Sequence, residues 1–146
     1  EVAVHPGSVV HSMVQFTDGA VKAQLGTPDM RLPIQYALTF PDRLPMKGDR
    51  LSFDGLTLAF SKPDTDRFPC LRLAYEAMER GGDAPCVVNA ANEVAVEAFL
   101  GGKIGFCRIA EMIEASMNKM CSLSSPTLDD YRLCDKATRE YANSII

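Results

Sequence analysis

The sequence predicts an α+β fold, in which a small antiparallel β-hairpin or sheet segment precedes a C-terminal domain that resembles a four-helix bundle. Near the N-terminal end, two runs with strand composition flank an Asp-Gly turn signal. From residue 68 onward, apolar residues recur at helical spacing in four segments. Residues 41–55 combine prolines, glycines and alternating charges, which is typical of a linker. We therefore predict two domains, 1–60 with the linker and 61–146.

The composition is that of a globular protein and argues against two kinds of partner. Of the 146 residues, 47% are hydrophobic, which is enough to build a core. A net charge of −4, with Lys and Arg scattered, argues against nucleic acid or an anionic membrane as a partner. No apolar run approaches the ~20 residues that a membrane span needs. Five cysteines without a CxxC pair indicate free thiols in a reducing compartment, so we expect a cytoplasmic protein.

The first predicted element is a β-hairpin with strands at 9–16 and 20–25. If the Asp-Gly pair forms a two-residue tip, Phe16 lies opposite Val21, and this register fixes both faces. One face is mostly apolar and is predicted to be buried; its residues are Ser12, Val14, Phe16, Val21, Ala23 and Leu25. The other face is more polar, with His11, Met13, Gln15, Lys22, Gln24 and Gly26.

This register brings residues suited to a small-molecule site to the open end of the hairpin. It gathers Ser8, His11, Pro28, Asp29 and Met30. A histidine, a hydroxyl and a thioether on a rigid frame are suited to line such a site, and His11 is the side chain suited to proton transfer near neutral pH. Ser8 and His11 lie on opposite strand faces, so we do not expect a direct nucleophile–base pair. An ordinary hairpin with a polar outer face remains the alternative interpretation.

The motifs of other catalytic or metal sites are missing. His5 and His11 are six residues apart on an extended segment, so ~20 Å separates them and they do not share a metal. We interpret His5 as structural. The sequence contains neither a GxSxG elbow nor a Gly-rich phosphate loop.

Three short elements complete the predicted first domain. Residues 1–4 form a strand, which the following Pro-Gly pair ends or bends. A helix begins near Leu32, carries Pro33 in its first turn and ends at Phe40. Residues 56–60 form another strand. The apolar stripe of the helix comprises Ile34, Ala37 and Leu38.

Four helices are predicted in the second domain. They span 68–80, 90–100 and 106–120, and the last begins at Thr127. Asn89 is the predicted N-cap of the second helix. The residues predicted to face inward are Leu71, Ala74, Tyr75 and Met78; Ala91, Val94, Ala95 and Ala98; Ile109, Met112, Ile113, Ser116, Met117 and Met120; and Leu133, Ala137 and Tyr141.

Four stretches of the sequence carry a family resemblance: HPGSVVHSMVQFTDGAVKAQLGTPDM, RLPIQYALTFPDR, FPCLRLAYEAMERGG and VVNAANEVAVEAFL. They resemble the 1-deoxy-D-xylulose 5-phosphate reductoisomerases, and the pairing of HxxSxxHSMV with PDM is specific. The resemblance covers essentially the whole chain but only the C-terminal part of the family. It implies that residues 1–60 belong to the family's catalytic domain. It also implies that the NADPH-binding domain and the acidic cluster that holds the metal lie outside this chain.

The resemblance implies an activity and a set of site residues. Enzymes of this family convert 1-deoxy-D-xylulose 5-phosphate to 2-C-methyl-D-erythritol 4-phosphate in the non-mevalonate route of isoprenoid biosynthesis. They use NADPH with Mn²⁺ or Mg²⁺, and they are typically homodimers. By resemblance, Ser8 and His11 bind the sugar phosphate, His11 also acts in catalysis, and Pro28 and Met30 wall the pocket. The family commonly has glutamine where this chain has Gly7, a difference expected to loosen the turn before Ser8.

Three functional hypotheses follow from these observations. The chain is the C-terminal portion of a reductoisomerase, and alone it is expected to be inactive and to bind neither NADPH nor metal. Alternatively, the isolated segment is a non-catalytic dimerisation or folding module, since an exposed strand edge favours pairing. The third hypothesis, a small Ser/His hydrolase, is disfavoured, and an assay with a generic ester separates it from the others.

Overall fold

The computed structural model describes all 146 residues and confirms the α+β class, with one two-stranded sheet and five helices. The chain divides into two compact units, Glu1–Pro63 and Asp64–Ile146. The elements are β1 (Val10–Gln15), β2 (Val21–Leu25), α1 (Arg31–Thr39), α2 (Pro69–Arg80), α3 (Ala84–Leu100), α4 (Phe106–Met120) and α5 (Leu128–Ser144).

The two strands pair in a register one residue away from the predicted one. They are antiparallel, and Val14 pairs with Lys22 where Ala23 was expected. Gln15 in turn pairs with Val21, so Phe16 does not lie opposite that residue. The prediction was wrong because it assumed a two-residue tip.

The turn at the tip contains three residues. The Phe16 carbonyl accepts a hydrogen bond from Gly19 N at 3.0 Å, and Phe16 N donates to the Ala20 carbonyl at 2.8 Å. Gly19 has a φ of 87°, while Asp18 does not have a positive φ. The two-residue hairpin turns need a positive φ at their first central residue, which here would be Asp18. A three-residue loop with glycine in the left-handed region forms instead, and it moves the whole register by one residue.

The register shift mixes polar and apolar residues on the hairpin faces, and the predicted buried face is exposed. Val14, Phe16 and Val21 are 58%, 45% and 55% exposed. The Lys22 ammonium lies 5.4 Å from the centre of the Phe16 ring, so a charged side chain shares the face predicted to be apolar. Neither strand contains a buried residue. A two-stranded hairpin has no second layer to cover it, which explains this exposure.

Helix α1 forms where the sequence predicts it, but its stripe is not buried. Pro33 lies in the first turn, where its missing N–H has no intrahelical partner to lose. The helix ends before the Phe40–Pro41 peptide. None of its residues is buried, and Leu38 is 82% exposed. The predicted stripe of Ile34, Ala37 and Leu38 therefore lies on the outside of this unit.

The two short strands predicted at 1–4 and 56–60 are not formed. A single antiparallel bridge replaces them: Val4 N donates to the Ser61 carbonyl at 2.9 Å, and Ser61 N donates to the Val4 carbonyl at 3.0 Å. One bridge closes the first unit across a long sequence separation but is too short to count as a strand.

The second unit is a four-helix arrangement with α3 packed against the other three helices. Helix α4 has the predicted bounds, and its predicted stripe is buried except for Met120, which is half-buried. No helix of the chain combines the length and the apolar character required to cross a membrane. The buried core comprises Leu73, Ala77, Ala84, Val87, Ala91, Val94, Ala95, Ile109, Met112, Ile113, Met117 and Ala142.

The predicted start of the second helix of this unit was wrong. Helix α3 begins at Ala84, so Asn89 lies inside it and donates to the Glu93 carboxylate at 3.2 Å. The helix starts five residues before the predicted N-cap: Val87 N donates to the Asp83 carbonyl at 3.0 Å, and a proline lies at the N1/N2 position, where its missing N–H costs no intrahelical bond.

The predicted stripes of the first and last helices of this unit also need correction. Helix α2 buries Leu73 and Ala77, whereas Tyr75 and Met78 are 41% and 74% exposed. Helix α5 buries Thr138 and Ala142, whereas Leu133 is 67% exposed. Both helices carry apolar residues on two sides, and the side with smaller residues packs inward because it permits a closer approach to α3. The remaining predicted residues Leu71, Ala137 and Tyr141 are half-buried, and Ala74 is exposed.

Candidate functional site

The open end of the hairpin brings two chain segments together. Gly26 N donates to the Val9 carbonyl at 3.0 Å, the last pairing before the strands separate. Ser8 directly precedes Val9, and Pro28 and Met30 closely follow Gly26. The side chains of Ser8, Pro28 and Met30 are exposed, Met30 by 72%. Three of the predicted site residues therefore flank one end of the sheet.

Ser8 ends a tight turn in an unusual backbone conformation. The His5 carbonyl accepts a hydrogen bond from Ser8 N at 3.1 Å, with Pro6 at the second position of the turn, where its fixed φ is favourable. Ser8 has a φ of 49° and is the one residue other than glycine with a positive φ; the neighbouring Gly7 has none. This conformation costs a residue with a Cβ about 1 kcal/mol or more. Contacts around the turn must therefore hold Ser8 in place.

His11 lies at a β-bulge. Val10 and Ser12 pair with consecutive residues of β2, which leaves His11 as the extra residue of β1. A bulge bends its strand and changes the direction of the side chain, and bulges are common beside active sites. The predicted pairing of His11 with Gly26 was wrong, because Gly26 bonds to Val9. His11 is exposed, so its ring is free to contact a ligand.

Asp29, which the sequence also placed at this end, is committed to a structural role. Its carboxylate accepts from Arg31 N at 2.9 Å, from Arg31 Nε at 3.0 Å and from Arg31 Nη2 at 2.6 Å. The pKa of Asp29 is below its ordinary value. The largest cause is the hydrogen bond from the Arg31 side chain, and the second is the hydrogen bond from the Arg31 backbone N–H. Thr27 Oγ1 also donates to the Asp49 carbonyl at 3.4 Å. These bonds fix the segment that presents Met30 at the start of α1.

A cleft of about 700 Å³ opens in the first unit. We call it the N-terminal cleft; its lining residues are Glu1, Val2, Ala3, His5, Val10, His11, Ser12, Met13, Gln15, Val21 and Phe60. Its size is in the range of small-molecule sites. His11 borders the cleft, whereas Ser8, Pro28 and Met30 do not. The four predicted site residues therefore share one end of the hairpin but do not line a common cavity within this chain.

The residues of this chain do not fit a resident metal ion. No group of three or more His, Cys, Asp or Glu side chains is arranged to hold one. Asp29 is occupied by Arg31, and His5 uses Nδ1 on the Ala59 carbonyl at 2.8 Å. Magnesium requires oxygen ligands in near-octahedral geometry, and this end of the hairpin does not offer them.

Sequence reasoning missed three features of this site. They are the positive φ of Ser8, the bulge at His11 and the contact of His5 with Ala59. The Pro-Gly pair before Ser8 signalled a turn, but glycine was the expected residue for a positive φ. Nothing in local spacing predicts a bulge or a contact between residues 54 positions apart.

Comparison with known proteins identifies close relatives of the sequence. Residues 25–141 match the family model described as the DXP reductoisomerase C-terminal domain. The chain is 56% identical over 147 residues to the 1-deoxy-D-xylulose 5-phosphate reductoisomerase of Bacteroides fragilis and 53% identical over 148 residues to that of Bacillus subtilis. Both alignments cover the whole chain, but they cover 38% and 39% of those proteins. The chain thus spans well under half the length of these relatives.

Solved structures resemble the chain in the same way. The 1-deoxy-D-xylulose 5-phosphate reductoisomerase from Zymomonas mobilis, in complex with NADPH, aligns with a TM-score of 0.88 and 43% identity over 99% of this chain and 39% of that one. A DOX-P reductoisomerase in complex with NADPH, fosmidomycin and magnesium aligns with a TM-score of 0.88 and 39% identity, covering 97% of this chain and 37% of that one.

Proposed function

Since this chain belongs to the 1-deoxy-D-xylulose 5-phosphate reductoisomerase family and corresponds to its C-terminal portion, we propose that it forms one wall of the substrate site and the helical domain of such an enzyme. The full-length enzyme converts 1-deoxy-D-xylulose 5-phosphate to 2-C-methyl-D-erythritol 4-phosphate in isoprenoid biosynthesis. The observation that carries this proposal is the similarity of the whole chain to the C-terminal portion of named reductoisomerases.

The proposed substrate contacts are Ser8, His11, Pro28 and Met30. The Ser8 hydroxyl donates a hydrogen bond to the sugar phosphate, and the His11 imidazole orients a reacting hydroxyl or moves its proton. Pro28 and Met30 form an apolar wall that excludes water from the reacting carbons. The exposure of these residues in this chain leaves them free to contact a substrate that the rest of the enzyme also holds.

The cofactors of the full-length enzyme are proposed to bind outside this chain. The Zymomonas mobilis relative is a complex with NADPH, and another relative is a complex with NADPH, fosmidomycin and magnesium. In the full-length protein, NADPH supplies a hydride, and Mg²⁺ or Mn²⁺ polarises substrate oxygens. This chain has no group of three or more His, Cys, Asp or Glu side chains that could hold the metal. The role proposed for its residues is to bind and orient the sugar phosphate and to handle protons. We therefore propose that the chain alone has no reductoisomerase activity.

The remaining proposals concern organisation. Residues 1–60 are the C-terminal part of the catalytic domain, and 61–146 are the helical domain. The full-length enzyme is a homodimer in the cytoplasm, and neither nucleic acid nor a membrane is a partner. The five free thiols support the location in the cytoplasm. The scattered basic residues support the absence of a nucleic-acid or membrane partner.

A second candidate function for the isolated chain is that of a non-catalytic dimerisation or folding module. The observation that favours it is the exposed apolar surface of the hairpin and of α1. On the hairpin, Val14 and Val21 are 58% and 55% exposed, and on α1 Leu38 is 82% exposed. Exposed apolar surface of this kind is typical of interaction sites.

The proposed site is tested with the full-length enzyme carrying His11→Ala. Losing an exposed group that orients substrate or transfers a proton lowers turnover by about 10²- to 10⁴-fold, while the fold is retained. Steady-state kinetics and thermal melting are measured on the same preparation. Lys22→Ala, an exposed change on the same hairpin, is the control and retains wild-type kinetics. Near-normal turnover together with a strongly lowered melting temperature in His11→Ala would show that His11 is structural.

A further inference from the structure

His5 is attached to a distant part of the chain by two kinds of contact. Its Nδ1 lies 2.8 Å from the Ala59 carbonyl oxygen, and its ring stacks on Phe60 with centroids 4.8 Å apart and planes 24° apart. A carbonyl oxygen only accepts hydrogen bonds, so Nδ1 carries the proton. The adjacent residues Val4 and Ser61 exchange two backbone hydrogen bonds. Residues 4–5 are thereby fastened to 59–61.

This attachment stands directly before the turn that carries Ser8. The His5 carbonyl accepts the Ser8 N–H at 3.1 Å, so the residue that holds Ala59 also closes the turn. After Ser8, the Val9 carbonyl accepts from Gly26. The strained φ of 49° at Ser8 is therefore held from both sides, as a conformation that costs free energy requires. The bulge at His11 follows in the same strand.

The two ring nitrogens of His5 are not available to a ligand, because Nδ1 is used on the Ala59 carbonyl and Nε2 is buried without a hydrogen-bond partner. A Cβ at Gly7 would lie 3.3 Å from the Cε1 of His5 and 3.4 Å from its Nε2, so the missing side chain at this position leaves room for the ring. Because neither ring nitrogen is free for substrate, any effect of His5 on the reaction passes through the groups that its turn carries.

We propose that His5 is a positioning residue, which through Ala59 and Phe60 holds the turn that sets Ser8 and the bulged His11 against the sugar phosphate. This inference rests on the proposed function, because it takes Ser8 and His11 as the substrate-contacting residues. It assigns to the first histidine of HxxSxxH a role different from that of the second.

The test uses three substitutions in the full-length enzyme. His5→Phe keeps a ring to stack on Phe60 but removes the donor to Ala59. His5→Asn keeps an amide N–H near the position of Nδ1. Gly7→Ala places a Cβ against the His5 ring and leaves the side chains of His5, Ser8 and His11 unchanged. This variant replaces His5→Phe in the test if His5→Phe fails to fold. Thermal melting identifies the folded variants.

The expected result is a selective loss. His5→Phe lowers kcat/KM for the sugar phosphate by about 10- to 100-fold, since displacement of an oriented group by about 1 Å has effects of this size. The KM for NADPH is unchanged, His5→Asn recovers most of the loss, and Gly7→Ala shows a smaller loss of the same kind. When Ser8→Ala and His11→Ala are already present, His5→Phe costs less than about threefold, because the groups it positions are absent.

Other results overturn the inference, and they can be told apart from failure of the proposed function. An equal cost of His5→Phe in both backgrounds, or unchanged sugar-phosphate kinetics in folded His5→Phe and Gly7→Ala, shows that His5 does not position the site. Should Ser8→Ala and His11→Ala themselves leave turnover unchanged, the proposed site fails, and the inference fails with it.

Discussion

At Ser8 the backbone adopts a φ of 49°, although a residue without a Cβ would adopt it at lower cost. The adjacent Gly7 does not take up this conformation. A serine thus occupies a strained position beside the open end of the hairpin. Strain of this kind is common where a side chain serves a ligand.

Two substitutions separate the strain of Ser8 from its hydroxyl. Ser8→Gly removes both, whereas Ser8→Ala removes only the hydroxyl and keeps the strained Cβ. We expect Ser8→Gly to be more stable than Ser8→Ala by about 1 kcal/mol, measured by denaturant unfolding. In the full-length enzyme both weaken sugar-phosphate binding. Equal stability of the two variants would show that the backbone of Ser8 is not strained.

The cysteines differ in reactivity according to their surroundings. The pKa of the Cys86 thiol is raised to about 11, mainly by burial and to a smaller extent by the neighbouring Cys134. Burial also raises the pKa of the Cys121 thiol. Cys70 and Cys107 are exposed. Because only the thiolate reacts, iodoacetamide at about pH 8 should modify Cys70 and Cys107 before Cys86, as read by mass spectrometry of peptides.

The pH dependence of this labelling has a defined sign. The rate at Cys86 should continue to rise as the pH approaches about 11, because its thiolate fraction is still increasing there. In denaturant, where burial is lost, all five thiols should react at similar rates. Modification of Cys86 as early as Cys70 and Cys107 in the folded chain would contradict the raised pKa of Cys86.

At the scale of elements, local sequence patterns predicted the helix positions that local interactions determine. Helix α4 has the predicted bounds, and Thr127 caps α5 with a reciprocal capping box with Asp130, as the polar and acidic residues at that start indicate. Failures occurred where tertiary packing decides between alternatives. Helices α2 and α5 each have two apolar sides, and only the position of α3 determines which of them is buried.

The predicted register of the hairpin was wrong for a related reason. The Asp-Gly signal is compatible with loops of two or three residues, and the choice moves every pair by one. The open end of the hairpin was still predicted correctly as the meeting point of the segments before and after it, because both registers bring Val9 and Gly26 to the same end. The contacts of His5 could not be predicted, since they join residues 54 positions apart.

The junction between α2 and α3 contains a position that only glycine can occupy. Gly82 has a φ of 56°, and a Cβ there would lie 1.9 Å from the Leu123 carbonyl oxygen. That carbonyl accepts the Asp83 N–H at 3.0 Å, while the Asp83 carboxylate accepts from Leu123 N at 3.1 Å. The loop before α5 is thus bonded directly to the start of α3, and the two cannot move apart freely.

Gly82→Ala is predicted to destabilise the helical unit by about 3 kcal/mol or more, because backbone must shift to relieve the overlap. Gly102→Ala is the matched control, with a φ of 69° but open space around its Cβ, and should cost about 1 kcal/mol. Denaturant unfolding measures both. Similar losses for the two variants would show that the contact with Leu123 does not control this junction.

At the scale of the whole molecule, the exposed apolar surface has a consequence for the chain in isolation. Val14, Phe16 and Val21 lack cover within the first unit. We predict that the isolated chain self-associates at tens of micromolar (about the range of weak interfaces), as measured by sedimentation. Val14→Lys should reduce the association by placing a charge in that surface. A monomer throughout this concentration range would contradict the prediction.

The central proposal is that, in the full-length enzyme, this chain contacts the sugar phosphate while the rest of the protein binds NADPH and the metal. The most direct measurement pairs NADPH oxidation with NADPH binding, for the wild-type enzyme and a variant that carries both Ser8→Ala and His11→Ala. We predict that substrate- and metal-dependent oxidation falls by about 10²-fold or more in the variant. The affinity for NADPH, followed by its fluorescence, should remain unchanged. Normal oxidation in the variant, or loss of NADPH binding with the fold intact, would contradict the claim.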